Sequence, residues 1–371
     1  MTLHLVGNWE SDVGYAWKMI EQFWIALAKA YPGKTILTFP KVRGLNPEFK
    51  TAGIDVIEFA FDFRRPKELA RFARAYDVRH LYLSDQPYSS PVYPWLRLAG
   101  VKTITVHDHT PGSRTIPTGF KALAKATAVR LMGADAYIAT TPYVRKRHLE
   151  VVKAPAARCY VAPNGVSPNP YTRDQSTIRE DLGVLPNTVL IVSSSRATAY
   201  KRIHEIVQAA ARLQDRNVYF IHCGRGTDIA YFESLQRDTR ALKNFRLLGD
   251  RNDVLKILPA CDIAVHAAEG EVGYSLAILE FMSSGLPTVV RNDQSVCGCI
   301  DDGVTGLLFS DVEDLVAKLD RLIGRSAERQ CMGRAAQIVA TRDYQLRDTV
   351  AAVVRTMQTV IGPDWMCRVA A

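Results

Sequence analysis

Residues 262 to 290, DIAVHAAEGEVGYSLAILEFMSSGLPTVV, decide the fold. An apolar run, Ile263 to His266, leads into a loop holding Glu269, Gly270, Glu271 and Gly273. SLAILEFMSSG then continues at helical spacing until Gly285 ends it, and Thr288 to Val290 opens a second apolar run. Strand, glycine loop, helix, strand is the unit from which parallel sheets are built. Its loop also places several backbone N–H groups at a helix N-terminus, where an anion is favoured. Glu280 lies about one and a half turns into that helix, too late to cap it, so its carboxylate serves something other than the helix's own amides. Taken singly, each residue has a plainer reading: Gly273 and Gly285 as turn residues, Glu269, Glu271 and Glu280 as solvated charges.

The same alternation runs outward in both directions. Upstream are the strands Leu3 to Val6, Thr35 to Thr38, Ile54 to Phe59, His80 to Ser84 and Lys102 to Val106. Helical patterns from Trp17 to Ala30, Lys67 to Tyr76 and Val92 to Leu98 lie between them. Strands alternating with helices at this spacing imply a parallel, doubly wound sheet. LIVSSSRATAYKRIHEIVQAAARL (190–213) is again strand, polar loop and helix, with Arg196 and Lys201 five apart in the loop. Two cations there suit a phosphate clamp, since Arg binds bidentately and Lys adds a point charge; a surface ion-pair role is the plainer alternative. YFIHCGRGTD (219–228) is another strand with a Gly-x-Gly turn. The loop GNWESDVGYA after the first strand, with Gly7, Asp12 and Gly14, falls where an open parallel sheet places its ligand crevice and does not spell GxGxxG.

A chain of 371 residues predicts about two to three domains of ordinary size. Apolar content of 47% is ample for buried cores. No run of about 18 apolar residues exists, which predicts no transmembrane helix, and MTLHLVGNW lacks the build of a secretory signal. Seven scattered cysteines make no disulfide framework, and a reducing cytoplasm fits them; Cys297-Gly298-Cys299 is spaced too closely for an ordinary zinc or redox motif. Residues 1–166 hold 23 Lys+Arg against 13 Asp+Glu, a balance of +10, while the remainder holds 24 against 25. A basic half points to nucleic acid, anionic lipid or an acidic substrate, and no nucleic-acid motif accompanies it. In TGFKALAKATAVRLM (118–132), Phe120, Ala124, Ala128 and Leu131 share a helical face, with Lys121, Lys125 and Arg130 beside it. Arg145, Lys146, Arg147 and His148 form a second basic cluster. Both segments suit a membrane interface, and equally two amphipathic helices packed on a sheet.

With GLPTVV included, the opening stretch resembles the donor-site signature of the retaining GT-B glycosyltransferases of family 4, the group 1 glycosyltransferases. In that pattern a Glu, a Gly, an aromatic, a small residue and a Leu precede a second Glu, followed by a small residue, Gly and Pro. Gly273, Tyr274, Ser275, Leu276, Glu280, Gly285, Leu286 and Pro287 match; at the first Glu stands Val272, with Glu271 one residue early. Arg196 and Lys201 match the family's Arg, four residues, Lys motif. CYVAPNGV (159–166) resembles its last N-domain strand and turn, and the segment around Leu248, Gly249 and Asp250 its contacts to the nucleotide base. IDDGVTGLLF (300–309) matches its Asp-Gly-x-x-Gly turn. His107, after the strand KTITV, matches the family's N-domain site histidine, with His109 a poorer candidate. Gly14 falls where many members carry a Gly-Gly pair.

The resemblance implies an α/β protein of two Rossmann-like domains facing across a cleft, the GT-B architecture. Its parts would be an acceptor-side domain (1–166), a linker (167–175), a nucleotide-sugar-binding domain (176–343) and a C-terminal helix (344–371) crossing back to the first domain. The implied activity is retaining transfer of a sugar from a nucleotide diphosphate sugar to an acceptor, in polysaccharide or glycolipid assembly. Arg196, Lys201 and the helix N-terminus at Tyr274, Ser275 and Leu276 would stabilise the leaving diphosphate without a metal. Glu280 would hold the ribose, Glu271 the sugar hydroxyls, and His107 would lie near the reacting carbon; Gly14, Gly249, Asp250 and Gly273 complete the donor set. No metal or cofactor is expected, the sugar nucleotide being a co-substrate. The expected partners are that donor, a glycan or lipid-linked glycan acceptor and an anionic membrane surface, with the protein cytoplasmic at the inner face. Two rivals share the architecture: a nucleotide-sugar 2-epimerase, and a non-catalytic partner subunit, to which Val272 at the first Glu position points.

Overall fold

The structure, a computed structural model, describes residues 1–11, 18–112, 114–271 and 274–365. The chain divides into two compact units. The first holds residues up to Thr110, Arg114–Pro163 and the chain from Arg347; the second holds Asn164–Leu346 and a short piece from Pro111.

The first unit is built on seven parallel strands: β1 (Thr2–Val6), β2 (Lys34–Phe39), β3 (Ile54–Glu58), β4 (Val78–Ser84), β5 (Thr103–Asp108), β6 (Ala136–Ala139) and β7 (Cys159–Val161). Their order in the sheet is 3-2-1-4-5-6-7. Helices cover both faces, so the strands read as continuous apolar runs rather than alternating ones; Leu3, Leu5, Leu83, Ile104 and Ile138 are completely buried. The helix Leu346–Ile361 and the turn after it close this unit's core. Thr349 Oγ1 donates to the Pro163 carbonyl at 2.6 Å, Lys102 Nζ donates to Asp364 Oδ2 at 2.7 Å, and the Trp365 ring meets Tyr31 edge-on.

The second unit has six parallel strands: β8 (Val189–Ser194), β9 (Val218–Cys223), β10 (Phe245–Gly249), β11 (Ile263–His266), β12 (Thr288–Arg291) and β13 (Gly306–Phe309). Their order is 10-9-8-11-12-13. Each sheet therefore reverses direction once, between β1 and β4 in the first unit and between β8 and β11 in the second. At such a switch point adjacent loops diverge and leave a crevice at the C-terminal ends of the strands. The fold is two Rossmann-like α/β units, as the sequence predicts.

Three local expectations change. β5 runs two residues past Val106, so His107 and Asp108 belong to the strand itself. The helix Gly119–Met132 is not packed through the face of Phe120, Ala124, Ala128 and Leu131: Val129 is its buried residue, while Phe120 is 83%, Leu131 70% and Leu123 65% exposed. The second basic cluster is split, because Arg147 and His148 turn inward and are buried while Lys146 stays exposed. Among the described residues no helix is long and apolar enough to cross a membrane.

Candidate functional site

The loops after β8 and β11 flank the second unit's switch point, and Arg196, Lys201, Glu269 and Glu271 lie on them. Behind them, the loops after β8, β9 and β10 are joined through backbone: Ser195 N donates to Cys223 O, Ala197 N to Arg225 O, and Gly224 N to Gly249 O, at 2.8–3.0 Å. Gly224 is required by this closeness, since a Cβ there would lie 1.7 Å from the Ser195 carbonyl oxygen. Gly249 ends β10 with φ +68°, a conformation natural to glycine, and sends the chain to the exposed Asp250.

Arg196 is exposed at the start of the β8 loop. Lys201, at the end of the 3-10 turn Ala199–Lys201, is not: its side chain is 10% exposed and its Nζ makes an ion pair with Glu271 Oε1. Burial, and after it the charge of Arg196, push the Lys201 ammonium down to about 7, and the Glu271 carboxylate supplies the compensating charge. Behind the pair stands His266, the last residue of β11, its Nε2 3.5 Å from Glu271 Oε1. Burial first and Lys201 second hold His266 well below its ordinary range, hence neutral. The sequence brings out Lys201 and Glu271 separately but not their pairing, nor any role for His266, which reads simply as the end of an apolar strand.

The helix Leu276–Ser283 begins immediately beyond this pair, with Ser275 at its N-cap making no side-chain capping bond. Its first amides thus face the loop that carries Glu271, as an anion site needs. Tyr274 is fixed from two sides: its carbonyl accepts from Asn164 Nδ2 at 3.1 Å, and its ring meets that of Tyr344 edge-on. Glu280 is half-buried on the same helix. Gly14, Val272 and Gly273 lie outside the described residues.

In the first unit, His107 is fully buried, stacked near Phe23, with Nδ1 2.6 Å from the Tyr82 hydroxyl. His109 is half-buried, its ring 4.1 Å from that of His107. Burial holds both imidazoles below their ordinary range, and the Nε2 atoms of both have no hydrogen-bond partner among the described residues. Between them Asp108 points to the other face of the sheet. Its Oδ2 accepts from Arg147 Nη2 at 2.7 Å, His148 Nε2 at 2.9 Å and the Tyr88 hydroxyl at 2.7 Å. Burial alone would raise the Asp108 carboxyl; the His148 bond and the Arg147 charge override it and hold it well below the usual range. Arg147 also donates to the Thr110 carbonyl at 3.0 Å, which fixes the chain leaving His107. The inward turn of Arg147 and His148 therefore has a cause, a buried carboxylate that needs two donors. Asp85, which the sequence reading passed over, accepts the His109 N–H at 2.5 Å while itself in the left-handed region, φ +55°.

Among the described residues no group of three or more His, Cys, Asp or Glu is placed to hold a metal ion. What the second unit offers instead is a buried cation, an exposed cation, an uncapped helix N-terminus and two carboxylates, a set suited to a diphosphate with hydroxyl-bearing groups on either side.

The family model described as "Glycosyl transferases group 1" matches residues 174–339, and that described as "Glycosyltransferase Family 4" matches residues 42–169. The alpha-monoglucosyldiacylglycerol synthase of Acholeplasma laidlawii is 25% identical over 169 residues, 43% of this chain and 42% of that protein. The UDP-Gal:alpha-D-GlcNAc-diphosphoundecaprenol alpha-1,3-galactosyltransferase of Escherichia coli is 29% identical over 174 residues, 44% of each. The match thus spans less than half the length of these curated relatives. Among solved structures, a glycosyltransferase from Rickettsia africae superposes with TM-score 0.80 at 17% identity, covering 98% of this chain and 99% of that one. Anabaena Alr3699/HepE in complex with UDP and glucose gives 0.77 at 18%, covering 97% and 100%. At these identities the likeness is one of fold, GT-B in both cases. Together the two family models take in most of the chain, which belongs to the family 4, group 1 glycosyltransferases.

Proposed function

We propose that this chain transfers a sugar from a nucleotide diphosphate sugar to a glycan or lipid-linked acceptor, with retention of anomeric configuration and without a metal. The observation that carries the reading is the convergence of Arg196, Lys201, Glu271 and the Leu276–Ser283 helix N-terminus at one switch point. Bond breaking at the anomeric carbon moves negative charge onto the leaving diphosphate. Arg196, Lys201 and the helix amides oppose that charge as it grows, so they hold the transition state more strongly than the ground state. Glu280 takes the ribose hydroxyls, and Glu271 the sugar hydroxyls once the diphosphate draws Lys201 away from it. The Gly249–Asp250 turn faces the base. His107, kept neutral by burial, contributes hydrogen bonding rather than acid strength.

Relatives support the donor class. One carries UDP-Gal in its name, and a neighbouring structure holds UDP and glucose. Both curated relatives are named for an α-linked product, in line with retention. Their names also contain lipids, a diacylglycerol and a diphosphoundecaprenol, and the surface of the first unit supports a lipid-linked acceptor for this chain. The helix Gly119–Met132 exposes Phe120, Leu123 and Leu131 among Lys121, Lys125 and Arg130, and the helix Val92–Leu98 packed beside it exposes Leu98 and Trp95. An apolar ridge with interleaved cations binds an anionic bilayer reversibly, at about 1 kcal/mol per cation. The protein would then work at the inner face of the membrane, where the unpaired thiols of its described cysteines would stay reduced.

A thermal-shift screen over UDP-, GDP- and ADP-sugars tests the donor assignment, since a ligand that binds only the folded state raises Tm by mass action. One nucleotide series should raise Tm in wild type and fail to do so in Arg196→Ala. No shift with any of them refutes the reading.

A further inference from the structure

Arg202 occupies the left-handed region, φ 51° and ψ 36°, a conformation that long side chains seldom adopt and that costs strain when they do. Glu205, its nearest partner, is already paired with the buried Arg291, and Arg291 is itself anchored by the carbonyls of Ala267 and Ser310 at 3.1 and 2.9 Å. What Arg202 adds is reach. Its Nε donates to Glu205 Oε1 at 2.7 Å while Nη1 donates to Glu269 Oε2 at 2.9 Å. One guanidinium thereby joins the start of the helix Ile203–Arg212, next to Lys201, to the β11 loop two residues before Glu271. Beneath it, Glu269 N donates to the Tyr200 carbonyl at 3.0 Å, so the same two loops are also tied through backbone.

We propose that Arg202 is a positioning residue of the donor site: it clamps the Glu269–Glu271 segment onto the Ala199–Lys201 turn and so sets Lys201 and Glu271 against each other, with the strain borne by its own backbone. The inference rests on the donor-site reading above. Strained backbone conformations cluster at functional sites, where the strain serves the site rather than the fold. The Arg202–Glu269 contact is part-exposed, with side chains 35% and 54% accessible, so it adds little to folding. Its effect is on where the loop stands.

The test compares wild type with Arg202→Gly, Arg202→Asn, Glu269→Ala and the Arg202→Gly/Glu269→Ala double variant, by thermal melting and by calorimetric titration with UDP-, GDP- and ADP-glucose. Gly and Asn both accept the left-handed conformation and both lack the reach. Arg202→Gly should melt no more than about 2 °C below wild type and bind the preferred sugar nucleotide about tenfold more weakly. The double variant should bind no more weakly than the worse single one, because both changes open the same clamp. Wild-type affinity in Arg202→Gly, additive losses in the double variant, or an affinity loss that merely follows a lowered Tm overturns the clamp. A wild type that binds none of the three overturns the donor-site reading, and the clamp with it.

Discussion

Removing Lys201 should damage the empty protein before any substrate is added, whereas removing Arg196 should not. Lys201→Met keeps most of the aliphatic stem but leaves Glu271, its side chain 11% exposed, without that cation and beside the neutral His266. At an ordinary ion-pair separation of about 3 Å and an effective dielectric of about 20, the attraction lost is about 5 kcal/mol. Removing one partner of a buried pair costs about 3–5 kcal/mol in practice. For a unit of this size each kcal/mol moves Tm by about 2–4 °C, so a fall of about 10 °C is expected. Arg196→Ala, at an exposed position, should stay within about 0.5 kcal/mol of wild type. The Lys201→Met/Glu271→Met double variant should recover most of the loss, because two apolar groups replace a buried ion pair at little or no cost. Transfer activity should stay lost throughout, so that the pair is kept for chemistry and not for folding. Ligand-free melting and urea unfolding at about pH 6 read the first half, and product formation reads the second. If Lys201→Met melts with wild type, the Lys201–Glu271 pair is open in solution and the argument fails.

The two carboxylates should separate by ligand. Glu280→Gln weakens bare nucleotide and sugar nucleotide alike, whereas Glu271→Gln weakens the sugar nucleotide more than UDP; calorimetry with both ligands decides it, and equal effects would refute the assignment. Stability should rise with pH between about 4 and 6.5. Burial lowers His222 to about 4, so in that window the unfolded chain binds the proton and the folded one does not. The shift is worth about 3 kcal/mol, lost as pH falls, and urea titrations of His222→Asn should show a shallower slope. On the exposed helix, Phe120→Ser with Leu123→Ser should leave Tm unchanged, since both side chains are already in water. Flotation with anionic vesicles should nevertheless fail; flotation equal to wild type removes the ridge from membrane binding.

Much of the sheet architecture is legible in the sequence because parallel strands buried on both faces write themselves as apolar runs, as Leu190 to Val192 and Ile263 to Val265 do. The loops after β8 and β11 are legible as candidates because their glycines, cations and carboxylates cluster between such runs, although each residue alone has a plainer use. Contacts between distant residues are not legible. Lys201 and Glu271 are seventy positions apart, and neither alone announces that it is buried. Arg147 and His148 sit in a basic run that reads as surface until Asp108 supplies a reason for them to turn inward. The helix Gly119–Met132 misleads in the opposite direction, since its apolar spacing matches that of a packed helix and only the neighbours reveal that Val129 alone finds a core. Arg202 looks like a helix-starting cation; its left-handed backbone has no signature in the residue type.

The backbone stitching of the β8, β9 and β10 loops bears on how donor preference can change. Since Ser195, Ala197 and Gly224 bond to Cys223, Arg225 and Gly249 through main-chain atoms, these three joints do not depend on which side chain stands at 225. Arg225 and Asp250, both exposed, can thus be exchanged with little effect on these joints, whereas Arg251 is held by Asp253 at 2.6 Å. A library confined to positions 225 and 250 should leave the scaffold unchanged, and if the proposed base site lies there its members should differ in ligand choice while melting together.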